Sequence, residues 1–164
     1  MINKTYPITE KLLKKGLLSS LKLLDLLTRE ADNLKKNADS TAISTIAANK
    51  KETVTQLDQF SKQLSQVLAT EKLQMSPSGV SEYFKKAEEV KLNTSDSTNL
   101  WKEIIAISKQ CRLLNEKNGA SINLLAQHTQ RSLQILKGKS QQATTYGPDG
   151  STYSERLSHS LVSV

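Results

Sequence analysis

One apolar stripe runs through the second half of the chain and constrains its fold more than any other feature. Successive members of the stripe are three or four residues apart: Leu100, Ile104, Ile107, Cys111, Leu114, Asn118, Ile122, Leu125, Thr129, Leu133 and Leu136. This spacing keeps side chains on one side of an α-helix. A continuous helix from Asp96 to Lys137 would be roughly 60 Å long at about 1.5 Å per residue, longer than a small domain is wide. Such a helix needs partner helices along its apolar side.

Asn118 and Gly119 interrupt the stripe with polar and small residues. A glycine inside a helix costs about 1 kcal/mol relative to alanine, so one interpretation is that Asn118-Gly119 ends one helix and Ser121 starts another. The alternative is that Gly119 lets another backbone approach closely while neighbouring amides hydrogen-bond across a helix interface. The uninterrupted spacing of the stripe favours the second interpretation.

The composition points to an all-α protein. Leucine, isoleucine, valine and phenylalanine together make up one quarter of the 164 residues, enough for a packed apolar seam. With 6 glycines, 3 prolines and few aromatic residues, the chain lacks the turn residues and strand formers of a sandwich or barrel. We expect an elongated antiparallel helical hairpin or a bundle of three to four helices.

Three helices are predicted before the long one. The first runs from near Thr9 to Lys36, and its many leucines predict burial on a broad face at the centre of the core. The second begins after Asp39 or Ser40 as N-cap and continues to about Leu73. The short connection makes these two helices antiparallel neighbours.

The third predicted helix is short. Residues 76–79, Ser-Pro-Ser-Gly, form a break, and the helix follows from Val80 to Lys91. The polar loop at 93–98 then offers N-caps to the long last helix.

The last part of the chain has a different composition. After Gly138 it consists mainly of Lys, Ser, Gln, Thr, Gly and Pro, so we expect residues 139–164 to be disordered in the free protein, with a turn at Pro148-Asp149-Gly150. The predicted division is a helical domain over 1–137 and a flexible tail over 138–164 that carries a Tyr-Gly turn motif.

Charge and reactive residues exclude several function classes. The net charge of +7 comes from scattered lysines without a basic run, an arginine cluster or interleaved aromatic residues, so nucleic-acid binding is not expected. No apolar run is long enough for membrane insertion. His128, His159 and the single Cys111 form no catalytic or metal-binding set. We therefore expect a binding protein rather than an enzyme, without cofactor, metal or small-molecule substrate.

Two motifs in a particular order carry a resemblance to a known family. The first is Leu114-Asn115-Glu116-Lys117-Asn118-Gly119, followed by Ile122, Gln130, Leu133 and Leu136-Lys137-Gly138, and the second is Thr145-Tyr146-Gly147-Pro148-Asp149-Gly150. Each motif alone is weak evidence. Their separation, after a long helix and before a polar tail, resembles the C-terminal signature of the FlgN family. The likeness is close over the last third of the chain, although Tyr153 and the serine-rich end have no counterpart.

The resemblance implies a cytoplasmic flagellar export chaperone that acts transiently at the export apparatus. Its clients would be the hook-associated proteins FlgK and FlgL, bound through their C-terminal helices, and it would dock on the export gate component FlhA. The residues that would bind the client are Asn118, Gly119, Ile122, Leu125, Gln130, Leu133 and Leu136. Those that would contact the gate are Tyr146 and Gly147.

Two other function classes stay open from the residues alone. A structural helical coiled-coil adaptor without export clients would self-associate and leave no free apolar stripe. A nucleic-acid-binding bundle would show a steep salt dependence of oligonucleotide binding. The resemblance favours the export chaperone.

Overall fold

Four helices hold most of the residues that the computed structural model describes, which are 1–36, 39–136, 145–146 and 152–153. The elements in chain order are α1 (Ile2–Lys36), α2 (Ser40–Thr70), α3 (Pro77–Glu89), α4 (Ser95–Leu136), β1 (Thr145–Tyr146) and β2 (Thr152–Tyr153). The predicted all-α class with four helices is confirmed. Contacts divide the chain into two units, Met1–Ile122 and Asn123–Val164. The domain boundary after residue 137 stays a prediction.

In the first unit, α1 and α2 are antiparallel neighbours, as predicted. Phe60 of α2 lies against Gly16 of α1, and Lys50, almost three turns closer to the start of α2, bonds to Glu30 near the end of α1. The contacting residue of α1 has a higher number where that of α2 has a lower one, so the two helices run antiparallel. Asp39 is the N-cap of α2 and accepts a 3.0 Å hydrogen bond from the Thr41 N–H.

Helix α4 runs parallel to α1 in this unit. The Tyr6 hydroxyl lies 3.0 Å from Ser97 Oγ near the start of α4, and the Asn118 amide donates to the Leu27 carbonyl oxygen further along both helices. Both pairs are 91 residues apart, so the two helices keep one register over this length. The prediction of a single helix through Asn118 is confirmed, because α4 is continuous from Ser95 to Leu136.

Helix α1 begins seven residues before the predicted start near Thr9. The residues that extend it are core residues, since Ile2 and Tyr6 are buried. The Tyr6 hydroxyl also donates to the Asn93 carbonyl oxygen at 2.7 Å, which fixes the first turns of α1 to the loop before α4. Pro7 lies in the second turn of α1 and lacks the N–H that would bond to the carbonyl oxygen four residues earlier. The start of α1 was predicted too late, because the contacts that stabilise its first turns join residues about 90 positions apart.

Helix α3 also begins earlier than predicted, at Pro77 instead of Val80. Ser76 is its N-cap and accepts a 3.0 Å hydrogen bond from the Gly79 N–H. Proline suits the first position of a helix, because its missing N–H would have no helical partner there and its φ is already helical. The sequence that was interpreted as a break is therefore the start signal of α3.

Helices α2 and α3 end a few residues before their predicted ends at Leu73 and Lys91. Lys72 and Lys91 have left-handed backbone conformations, with φ of 60° and 63°. Each is followed by a leucine, Leu73 or Leu92, whose N–H bonds to the carbonyl oxygen five residues earlier, at 2.9 and 3.0 Å. Glycine usually occupies the left-handed position of this capping pattern. Because lysine occupies it here, the ends of α2 and α3 could not be located from glycine positions.

Tyr83 of α3 is fully buried and joins α3 to α1. Its hydroxyl donates to Thr5 Oγ1 at 3.1 Å and lies 2.9 Å from Thr9 Oγ1. Burial raises the pKa of the Tyr83 hydroxyl, so the side chain stays neutral well into the alkaline range. The main core around it combines residues from all four helices: Ile2, Tyr6, Leu13, Phe60, Leu64, Val67, Leu68, Val80, Phe84, Ala87 and Ile104.

In the second unit, β1 and β2 pair antiparallel. Thr145 pairs with Tyr153 and Tyr146 with Thr152, on either side of the predicted turn. The turn itself, at 148–150, and most of the segment predicted to be disordered lie outside the described residues.

The two helical glycines Gly16 and Gly119 give a matched test of packing. A Cβ atom on Gly16 would lie 2.7 Å from the Phe60 ring, whereas one on Gly119 would meet no atom within 4 Å. We expect Gly16→Ala to lower the free energy of unfolding by about 1–2 kcal/mol, because overpacking outweighs the better helix propensity. Gly119→Ala should raise it by up to about 1 kcal/mol.

Urea unfolding followed by circular dichroism measures both changes. The double variant Gly16→Ala/Phe60→Leu should recover part of the loss. Equal stabilisation by the two alanines would contradict the close packing of α1 and α2.

Candidate functional site

A polar cluster of Glu30, Lys50, Asn115 and Asn118 joins α1, α2 and α4. Glu30 and Asn118 are buried, Lys50 is partly buried and Asn115 is exposed. The Lys50 ammonium lies 3.0 and 2.8 Å from the two carboxylate oxygens of Glu30, and it also donates to Asn115 Oδ1 at 3.3 Å. The Asn118 amide donates to Glu30 Oε2 and to the Leu27 carbonyl oxygen, both at 2.9 Å. Glu30 is only 2% exposed, and its carboxylate accepts hydrogen bonds from Lys50 of α2 and Asn118 of α4.

Asn118 therefore serves the fold in this structure. Its side chain is 2% exposed and its amide bonds across the α1–α4 interface, as the favoured interpretation of the Asn118-Gly119 interruption predicts. We leave Asn118 out of the surface that we propose below, because its amide group is already bonded inside the protein.

Gly119 is not in close contact with another part of the described chain. The Cβ atom that an alanine would add there meets no other atom within 4 Å, so the expected close backbone approach is wrong for contacts within the described chain. A helical glycine without an internal packing reason leaves room for a partner molecule at this position.

Past Gly119, the stripe of α4 is exposed. Ile122, the last residue of the first unit, is 37% exposed. In the second unit, Leu125 is 39% exposed, Leu133 49% and Leu136 82%, and Gln130 is exposed between them. We call Leu125, Leu133 and Leu136 the terminal stripe. Apolar side chains that are exposed at helical spacing on one element are typical of a surface that binds a partner helix.

A second apolar line on α4 was not predicted from the spacing of the stripe. Leu124 and Ile135 are 58% and 72% exposed, and they lie eleven residues apart. At 100° per residue they lie roughly 120° around the helix from the terminal stripe. The signal was present as adjacent apolar pairs, Leu124-Leu125 and Ile135-Leu136, of which only the second members fit the stripe.

A cavity of about 280 Å³ lies between α1, α2 and α4 in the first unit. Leu23, Leu27, Val54 and Leu57 contribute most of its apolar lining, together with Cys111. It is slightly smaller than typical small-molecule sites, which measure roughly 300–1,000 Å³. Its size suits an apolar side chain better than a cofactor.

Cys111 is a core residue. It is 6% exposed and packs in a cluster with Leu27 and Ile107. Burial raises the pKa of its thiol, so little reactive thiolate is present at neutral pH. This agrees with the interpretation of Cys111 as a small apolar side chain.

The predicted gate residues lie in or beside the short strand pair. Tyr146 is the second residue of β1, and Gly147 lies outside the described residues. In the part of the chain that the structure describes, no three His, Cys, Asp or Glu side chains are grouped as a metal site would require. None of the described helices is long and apolar enough to cross a membrane.

Comparison with known proteins gives one family. A family model described as FlgN protein matches residues 9–154. The match covers most of the chain and leaves out only the first turns of α1 among the helices and strands. No curated protein and no solved structure matches the chain. The match extends the likeness from the C-terminal motifs to the helices before them.

The Glu30–Lys50 pair gives a test of the helix arrangement. Glu30→Gln should lower the free energy of unfolding by about 2–4 kcal/mol, because it leaves the largely buried Lys50 ammonium without its counter-ion. The matched control is Asp25→Asn, which breaks an exposed pair with Arg29 and should cost less than about 1 kcal/mol. Urea unfolding compares the two, and similar losses would contradict the burial of the Glu30–Lys50 pair.

Proposed function

Because the chain belongs to the FlgN family of flagellar export chaperones, we propose that it binds the hook-associated proteins FlgK and FlgL through their C-terminal helices and delivers them to the export gate. Proteins of this family bind flagellar hook-associated proteins in general. We propose that the chain works in the cytoplasm and reaches the export apparatus only while it delivers a client. The family is one of chaperones and not of enzymes.

The observation that carries the client-binding proposal is the exposed terminal stripe. Leu125, Leu133 and Leu136 present large apolar side chains to solvent on one helix. A fully buried leucine contributes about 1.5–3 kcal/mol relative to an exposed one. An amphipathic client helix that covered the stripe would gain this free energy, and its own apolar side chains would be protected from aggregation.

Ile122, Gly119 and Gln130 extend the proposed contact. Ile122 is exposed next to the beginning of the stripe, and Gly119 offers space for a client backbone. Gln130 is exposed and provides an amide that hydrogen-bonds to polar groups at the edge of an apolar contact.

We further propose that Tyr146 and Gly147 contact the gate component FlhA. A tyrosine presents a rigid ring with a polar tip, which makes it an effective interface residue at low entropic cost. Client binding and gate docking would then use different segments of the chain, the last part of α4 and the segment of β1.

The client-binding proposal is tested by the double variant Leu133→Asp/Leu136→Asp. It should abolish measurable binding of a FlgK or FlgL C-terminal peptide in calorimetry, because two charges would have to be buried against the client. Helix content should be unchanged, since both side chains are exposed.

The matched control is Leu18→Asp/Leu21→Asp on α1, with the same spacing and side-chain exposures of 68% and 42%. This control should bind as the unchanged protein does. Full binding by the Leu133/Leu136 variant, or equal loss in both variants, would refute the assignment.

The gate proposal is tested by Tyr146→Ala. The variant should keep its affinity for the client peptide and lose at least about tenfold in the affinity of the loaded complex for the cytoplasmic domain of FlhA, as expected when an aromatic anchor is removed. Tyr153→Ala serves as control, because this tyrosine has no place in the motif. Parallel loss of client binding would argue against separate contacts.

A further inference from the structure

The wall of the cavity between α1, α2 and α4 carries a buried serine hydroxyl. Ser20 of α1 lies in this wall and is 2% exposed, and its Oγ atom has no hydrogen-bond partner among the described residues. A buried polar group without a partner destabilises a protein, so such groups are uncommon and need an explanation. A molecule bound in the cavity would supply the missing partner.

Ser108 of α4 lies in the same wall but has its hydroxyl bonded. Its Oγ atom donates to the Ile104 carbonyl oxygen, four residues earlier, at 2.8 Å. Serine inside a helix commonly bonds to its own backbone in this way. Ser20 makes no such bond, so its hydroxyl is free to bond to a molecule inside the cavity.

The inner surface around Ser20 is mainly apolar. Five side chains from three helices contribute to it: Leu23 and Leu27 of α1, Val54 and Leu57 of α2, and Cys111 of α4. Water fills an apolar cavity poorly, because a buried water molecule needs about two to four polar partners. An apolar cavity of about 150 Å³ is large enough to bind benzene. This cavity of about 280 Å³ therefore has room for one aromatic ring with a short substituent.

The two cations in the cavity wall are already paired. The Lys50 ammonium lies 2.8 Å from Glu30, and the Arg112 guanidinium lies 3.0 Å from Glu116. A charged ligand would lose its hydration on entering the apolar part of the cavity and would find each cation matched by a carboxylate. The cavity therefore suits a neutral ligand.

We propose that this cavity binds a small neutral molecule with one aromatic ring and one hydrogen-bonding group, of which a phenol is the simplest example. The ring would lie among the leucines, and the hydroxyl would bond to Ser20 Oγ. Val54 lines the cavity and is 44% exposed, so the ligand has a route of entry beside it. The lining residues all precede Gly119, so the site is separate from the proposed client surface.

Binding of p-cresol, measured by calorimetry, tests the proposal. We expect the unchanged protein to bind it with a Kd of about 1 mM or lower, as a ligand of this size allows. Ser20→Ala should weaken p-cresol binding about threefold to tenfold, because one hydrogen bond is lost. Toluene, which has the ring without the hydroxyl, should bind equally well to both proteins. Ser108→Ala is the matched control and should not change the p-cresol affinity, since that hydroxyl is already bonded within α4.

A second pair of variants tests the position of the site. Val54→Phe adds a ring at the cavity and should abolish binding of both p-cresol and toluene. Val90→Phe changes a valine that is equally exposed, at 45%, and lies on α3 outside the cavity wall, so both ligands should still bind. Saturating p-cresol should also slow the reaction of Cys111 with a methanethiosulfonate reagent, because the single cysteine of the chain lines the cavity. Circular dichroism checks that each variant is folded.

Three results would overturn the proposal. They are no binding of p-cresol to the unchanged protein, undiminished binding to Val54→Phe, and equal losses in Ser20→Ala and Ser108→Ala. The Leu133→Asp/Leu136→Asp variant should bind p-cresol as the unchanged protein does. Failure of the cavity proposal and failure of the client-binding function are therefore measured separately.

Discussion

The shared carboxylate of Glu30 sets the arrangement on which the rest of the structure depends. Apolar stripes on three helices can pack in several registers, because leucine contacts are not directional. Glu30 is buried and needs both the Lys50 ammonium of α2 and the Asn118 amide of α4. A shift of either helix by one turn would leave a buried charge unpaired, which costs several kcal/mol. The cluster thus selects one register of α1, α2 and α4 in the first unit.

The two parts of α4 differ in burial. The stripe of α4 is uniform in sequence, but its first part completes the core with Ile104, Ile107 and Cys111, and its last part presents Leu133 and Leu136 to solvent. Chaperones for helical clients need an apolar surface that is available but attached to a stable domain. The contacts of α4 with α1 stabilise its first part, and the continuation of the same stripe leaves large apolar side chains exposed.

The sequence was sufficient for the parts of the fold that depend on local signals. The period of the stripe predicted α4 almost to the residue, and the N-cap of α2, Asp39, was one of the two candidates that the sequence offered. The start of α1 could not be predicted, because Tyr6 is held by Asn93, far along the chain. The role of Lys50 was hidden for the same reason: a lysine in an apolar seam gives no sign of which carboxylate it will meet.

The candidate site shows the same division between local and long-range information. Helical spacing predicted an apolar surface at Leu125, Leu133 and Leu136, but it could not separate these residues from Asn118, which has the same spacing and is buried. The burial of Asn118 depends on Leu27 and Glu30, about 90 positions earlier in the chain, and no local pattern reveals this contact.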